Sequence, residues 1–160
     1  MKNSDLDGLR LYQQHWYIAA RNNKELFIPA ERGTGKTHFI CCLAKILADE
    51  EQKVLIVCPN STMVHIIKKK LSDDRIVVES ITTCIKPEHD FSFDYILFDD
   101  ATIDSKMQDK ASELLKSQRA DCRIFAIGTE KVYSNCDVFD RNRERRLWRS
   151  KGEINEYWKR

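Results

Sequence analysis

Hydrophobic and polar positions fall in blocks along this chain. Glu25-Leu26-Phe27-Ile28, Lys53-Val54-Leu55-Ile56-Val57-Cys58, Asp94-Tyr95-Ile96-Leu97-Phe98-Asp99-Asp100 and Cys122-Arg123-Ile124-Phe125-Ala126-Ile127 are apolar runs bounded by polar residues. Continuous runs of this length predict strands buried on both faces. Arg75-Ile76-Val77-Val78-Glu79 predicts one more short strand. Between these runs the apolar spacing changes to three and four, which predicts helices over Leu9–Ala20, Phe39–Ala48, Ser61 to about Leu71, and about Ser105 to Ser117. Asp49-Glu50-Glu51-Gln52 ends the second of these, and Ser61 stands where a helix N-cap belongs. Residues 1–8 are polar, and 81–92 read as irregular, with Pro87 inside. Strands alternating with helices predict an α/β domain: three layers around a mainly parallel central sheet. In such sheets ligands collect at the carboxyl ends of the strands.

The junction between the first strand and the second helix carries the sharpest signal. It reads Ala30-Glu31-Arg32-Gly33-Thr34-Gly35-Lys36-Thr37. Strand, glycine-bearing loop, Gly-Lys-Thr and helix is the arrangement that cradles a nucleotide's phosphates. Glycine lets successive N–H groups turn into one concavity, and the helix aims its unpaired N–H groups at the same anion. Lys36 is placed to reach the β/γ-phosphates, and the Thr37 hydroxyl to ligate Mg²⁺. Ala30 stands where the first glycine of G-x-x-x-x-G-K-[ST] is expected; it is the smallest replacement.

Hydrolysis needs a second, acidic element. Tyr95-Ile96-Leu97-Phe98-Asp99-Asp100 supplies it, because the apolar run buries the strand and Asp99 emerges at its end. Asp99 is placed to hold Mg²⁺ and Asp100 to act as general base on the attacking water. The same pair also suits a helix N-terminus through its dipole. ATPases of this kind usually carry Asp-Glu here, so the shorter Asp100 predicts slow or partner-dependent hydrolysis.

Composition narrows the setting. The 160 residues suit one domain, with 42% hydrophobic and 32% charged residues, as in ordinary globular proteins. No apolar run has membrane-spanning length, and no hydrophobic segment follows Met1-Lys2-Asn3-Ser4-Asp5, so the expectation is a cytoplasmic protein that is not secreted and has no membrane partner. Six cysteines form no C-x-x-C pair, which argues against zinc. Those within apolar runs read as buried small hydrophobes, in keeping with a reducing cytosol. Net charge is +2, yet residues 141–160 hold eight Lys/Arg against three Glu. The remainder is therefore net acidic. Arg141 to Lys151, with Trp148, and the later Trp158 form a basic C-terminal segment that follows a domain over residues 1–140 and either belongs to it or contacts a partner. It suits an anionic partner such as DNA, a solvated helix with docked tryptophans, or a protein contact.

With these residues in place, the chain resembles the N-terminal ATPase domain of viral terminase large subunits, the motors that package DNA. It is also similar to the first motor domain of superfamily 2 helicases, which shares that core. The likeness runs over about residues 9–130 and implies a P-loop NTPase of the RecA-like, ASCE type. Leu9-Arg10-Leu11-Tyr12-Gln13 is similar to the Leu-Arg-x-Tyr-Gln start of both families, which implies that Gln13 reads adenine; the alternative is an exposed polar face of the helix. Arg32, four residues before Lys36, favours terminases, where such an arginine acts in cis on the γ-phosphate; the alternative is a solvated loop arginine. Val54 to Asn60 is similar to an element that contacts nucleic acid in helicases, and Ile127-Gly128-Thr129 stands at a coupling motif, although Thr129 also simply ends a strand. Terminases continue into a nuclease domain and helicases into a second motor domain. The implied partners are therefore DNA and either further copies of this chain or a separate chain. A nucleotide-binding regulatory or assembly protein is the alternative function, and a small-molecule kinase is disfavoured by the lack of an arginine-rich lid segment.

Overall fold

In the computed structural model, residues 8–30, 35–80, 93–99, 121–128 and 137–138 are described. The elements are α1 (Leu11–Asn22), β1 (Glu25–Pro29), α2 (Lys36–Asp49), β2 (Val54–Cys58), α3 (Ser61–Lys70), β3 (Ile76–Ser80), β4 (Tyr95–Asp99), β5 (Arg123–Gly128) and β6 (Asp137–Val138). The anticipated helix over Ser105 to Ser117, the irregular stretch 81–92, Thr129 and the basic segment 141–160 lie outside the described residues.

The strands form one sheet in the order β3-β2-β4-β5-β1-β6, and every pairing is parallel. All residues of β2 and β4 are buried, as continuous apolar runs require when both faces are covered. Pro29 is tolerated because it closes β1, opposite Gly128. Asp99 pairs with Ile127, and Val57 pairs with Phe98. The carboxyl ends of β1, β2, β4 and β5 therefore line up along one edge of the sheet.

Steps from β1 to β2 and from β2 to β3 run in the same direction across the sheet. Right-handed crossovers then place α2 and α3 on one face, and the two helices are in contact. An aromatic file ties α1 to this layer: Trp16 meets Phe39 edge-on at 5.4 Å, and Phe39 meets Phe125 of β5 at 5.6 Å. The fold is thus an α/β domain with a parallel sheet and flanking helices, in the RecA-like arrangement.

Three local details depart from the sequence expectation. The α3 cap is Asn60 rather than Ser61. Asn60 has the extended backbone of an N-cap, and its side chain accepts from Met63 N at 3.0 Å. Ser61 becomes the first helical residue. The helix α2 ends in a Schellman turn, with Gln52 N donating to Leu47 O at 3.0 Å and Glu51 N to Ala48 O at 3.0 Å. Glu51 holds the left-handed position there at φ 64° without being glycine. The edge strand β6, beside Leu26 and Phe27 of β1, is the third.

Candidate nucleotide site

The site is built where β1 hands over to α2. Ala30 follows the strand and is buried at 7% exposure, so a methyl group is accommodated where the motif expects glycine. Gly35 is the N-cap of α2 and lies at φ 75°, in the left-handed region that glycine enters without penalty. Lys36 and Thr37 then open the helix, with Lys36 buried. Glu31, Arg32, Gly33 and Thr34, the rest of the anticipated phosphate loop, lie outside the described residues.

The acidic strand reaches the same place. Asp99 ends β4 at 1% exposure, and its Oδ2 accepts a hydrogen bond from the Thr37 hydroxyl at 3.1 Å. These residues are 62 positions apart in sequence. The fold thus brings the start of α2 and the acidic end of β4 together. A hydroxyl and a buried carboxylate at hydrogen-bond distance are hard oxygen donors, and they fit Mg²⁺, which takes few protein ligands and keeps several waters. Asp100 lies outside the described residues. Among the described residues, no group of three or more His, Cys, Asp or Glu is arranged to hold a metal.

Gln13 lies against the start of α2. It is buried at 2% exposure, which removes the reading of an exposed helix residue. Its Oε1 accepts from Arg10 N at 2.9 Å, and its Nε2 donates to Gly35 O at 3.2 Å. The residue pattern alone gives no sign of this contact with Gly35; only the family resemblance points to a glutamine near the phosphate loop.

Two thiols near Asp99 were anticipated only as small hydrophobes. Cys58, at the end of β2, is pushed up to about 12, by burial first and then by the Asp99 charge. Cys41, on α2, is pushed up to about 11, again mainly by burial. Cys41, Cys42, Cys58 and Cys122 are thiols and not disulfide-bonded. Unfolded thiols ionise from about pH 9, whereas these two keep their protons to pH 11–12 in the folded chain. The folded state then binds more protons over that window, so stability falls as pH rises above 9. Each thiol contributes a loss of about 1.4 kcal/mol per pH unit inside the window. In EDTA, Cys58→Ala is expected to flatten the decline in melting temperature between pH 9 and 11; an unchanged slope would show that the Cys58 proton is not linked to folding.

A polar cavity of about 450 Å³ lies at the opposite, amino-terminal ends of the strands. Its charges are engaged in structure. Arg21 pairs with Glu50 at 2.6 Å, and Arg123 donates to the Arg21 carbonyl at 2.8 Å, tying the end of α1 to α2 and β5. No helix among the described residues is long and apolar enough to cross a membrane.

Solved structures with this arrangement include the UvsW helicase of bacteriophage T4, with TM-score 0.67 and 15% identity, covering 81% of this chain and 59% of that one. A second T4 UvsW structure aligns at TM-score 0.57 and 17% identity, covering 76% and 30%. The Sulfolobus solfataricus SWI2/SNF2 ATPase core, solved in complex with double-stranded DNA, aligns at TM-score 0.56 and 14% identity, covering 78% and 32%. At these identities the likeness is one of fold, and the chain spans between about a third and three-fifths of the length of these structures. No curated protein sequence matches the chain. The family described as type III restriction enzyme, res subunit, matches residues 7–145, nearly the whole chain, and the chain belongs to that family.

Proposed function

We propose that this chain is a Mg²⁺-dependent ATPase domain of helicase type that couples ATP hydrolysis to work on DNA. The observation that carries the reading is the Thr37–Asp99 hydrogen bond at the head of α2, which brings a Gly-Lys-Thr helix start and a buried acidic strand end into one site. Lys36 and the loop amides from Ala30 to Gly35 hold the phosphates, and Thr37 and Asp99 supply the oxygens for Mg²⁺. The metal, when bound, neutralises charge on the β- and γ-phosphate oxygens. Asp100 takes the proton of the attacking water, and Arg32 meets the charge that develops on the γ-phosphate. Both roles rest on sequence position alone.

Family membership and the fold shared with helicase structures support the helicase side and, with it, a DNA partner. The terminase side, with DNA packaging in a viral setting and the host cytoplasm as its location, rests on Arg32. Movement along DNA requires a second lobe to close on the nucleotide. A second reading, a regulatory or assembly protein that hydrolyses ATP poorly, is favoured by one feature, Asp100 where Asp-Glu is usual.

ATP turnover measured with and without DNA, beside Lys36→Ala and Asp100→Asn, separates these readings. DNA-stimulated turnover that both substitutions abolish is the expected result. Tight ATP binding without turnover under either condition moves the assignment to the regulatory reading. Full activity in Asp100→Asn removes Asp100 as the base.

A further inference from the structure

Directly after Thr37, α2 carries His38 and Cys42 four positions apart, which sets them one above the other on the same helix face. Cys42 Sγ lies 3.7 Å from His38 Nε2. The same nitrogen lies 3.2 Å from the carbonyl oxygen of Gly8, just before the cap of α1 at Arg10. Hydrogen bonding leaves this trio mismatched. A neutral imidazole carries one proton, so Nε2 either donates or accepts. If it donates, one N–H is divided between the carbonyl and the sulfur. If it accepts from the thiol, two lone pairs face each other across 3.2 Å. A cation in front of Nε2 removes the conflict, because all three atoms then offer it an electron pair.

The spacing suits a tetrahedral ion. Bonds of about 2.0 Å to nitrogen, 2.3 Å to sulfur and 2.1 Å to oxygen put nitrogen about 3.5 Å from sulfur and about 3.3 Å from oxygen. The observed 3.7 and 3.2 Å fall within about 0.2 Å of these values. Imidazole with thiolate suits zinc-class cations, whereas Mg²⁺ takes oxygen donors. His38 and Gly8 are exposed, so a water can complete the fourth position.

We propose that His38 Nε2, Cys42 Sγ and the Gly8 carbonyl form a zinc-class cation site that fastens the start of α1 to α2. It does not depend on the nucleotide reading, and it needs no paired cysteines, the spacing being His-x-x-x-Cys within one helix. Burial holds the Cys42 thiol above its ordinary range, with Lys45 opposing, so the cation must displace a proton. One S–H bond breaks, one Zn–S bond forms and the proton leaves to solvent; nothing is oxidised or reduced.

The test titrates the reduced 160-residue chain with Zn²⁺ against a chromophoric chelator at saturating Mg²⁺. A parallel titration uses Co²⁺, whose bond to a thiolate gives a charge-transfer absorption. One Zn²⁺ per chain, one released proton, the cobalt–thiolate band and slower amide exchange over residues 9–13 are expected. Cys42→Ser and His38→Gln are each expected to weaken Zn²⁺ binding by about a hundredfold or more, at or beyond the cost of losing an outer-shell partner. Cys122→Ala is expected to bind as the wild type does. Should either variant fold poorly by circular dichroism, Cys42→Ala and His38→Asn carry the comparison. Absence of Zn²⁺ binding or of the cobalt band in the wild-type chain overturns the proposal, as does unchanged affinity in either folded variant. Binding lost in Cys122→Ala as well puts the zinc elsewhere and overturns it. Zinc that binds without slowing exchange over residues 9–13 overturns the fastening of α1.

Discussion

Replacing Asp99 by asparagine is expected to lower Mg²⁺-dependent ATP turnover by about a hundredfold or more while leaving the fold at least as stable as before. The substitution is nearly isosteric, and the asparagine oxygen still accepts the Thr37 hydroxyl that Asp99 Oδ2 accepts at 3.1 Å. What disappears is the negative charge, on a side chain 1% exposed. A buried carboxylate carries a desolvation cost that a neutral amide largely avoids. Melting temperature should therefore hold or rise as activity falls, the opposition expected where a site is kept for chemistry at some expense of stability. A Mg²⁺ titration at saturating ATP provides the readout. A variant with wild-type turnover and an unchanged Mg²⁺ dependence would exclude Asp99 from the metal shell, and a large fall in melting temperature would make its role structural.

How much of this site was legible from sequence depends on where the determining contact lies. Strands β2 and β4 announce themselves because burial on both faces demands apolar residues without interruption, and Val54–Cys58 and Tyr95–Asp99 satisfy that demand. The Gly35-Lys36-Thr37 junction is legible because its requirements are local: a strand before, glycine for φ 75°, a helix after. The Thr37–Asp99 pairing is legible only indirectly, through the parallel sheet that sends both ends to one edge. Gln13 shows the limit. A polar residue in an amphipathic helix reads as surface, and nothing local says that α1 lies against Gly35 and buries it. Asn60 and Ser61 are both good caps, and the choice falls to backbone geometry, Asn60 being extended at φ −154° and ψ 169°. Strand β6 has two residues, too few to carry a period, and it exists only through its register with Leu26 and Phe27. Glu51 takes a left-handed position with no glycine to signal it, because the two Schellman hydrogen bonds outweigh the modest backbone cost.

Phe39→Ala is expected to cost about 3–5 kcal/mol, the range for emptying a fully buried aromatic site. Phe39 is 0% exposed and stands between Trp16 of α1 and Phe125 of β5, meeting them at 5.4 and 5.6 Å. Aromatic pairs add to the burial term, so the loss exceeds that of a lone apolar side chain of equal area. Against a typical domain stability of about 5–15 kcal/mol, this leaves a marginal fold, and the melting temperature should drop by about 10 °C or more. The effect should reach the head of α2 as well, because Phe39 N makes the first helical bond to the Gly35 carbonyl. Phe39→Leu keeps most of the volume and separates the two consequences, with an expected cost of about 1–2 kcal/mol. Thermal melts followed by circular dichroism give the stability, and tripolyphosphate affinity at a temperature where both variants are folded gives the site. A loss below about 1 kcal/mol for Phe39→Ala would mean that α1 and β5 close over the vacated space, and that α2 is not held to the sheet through this aromatic file.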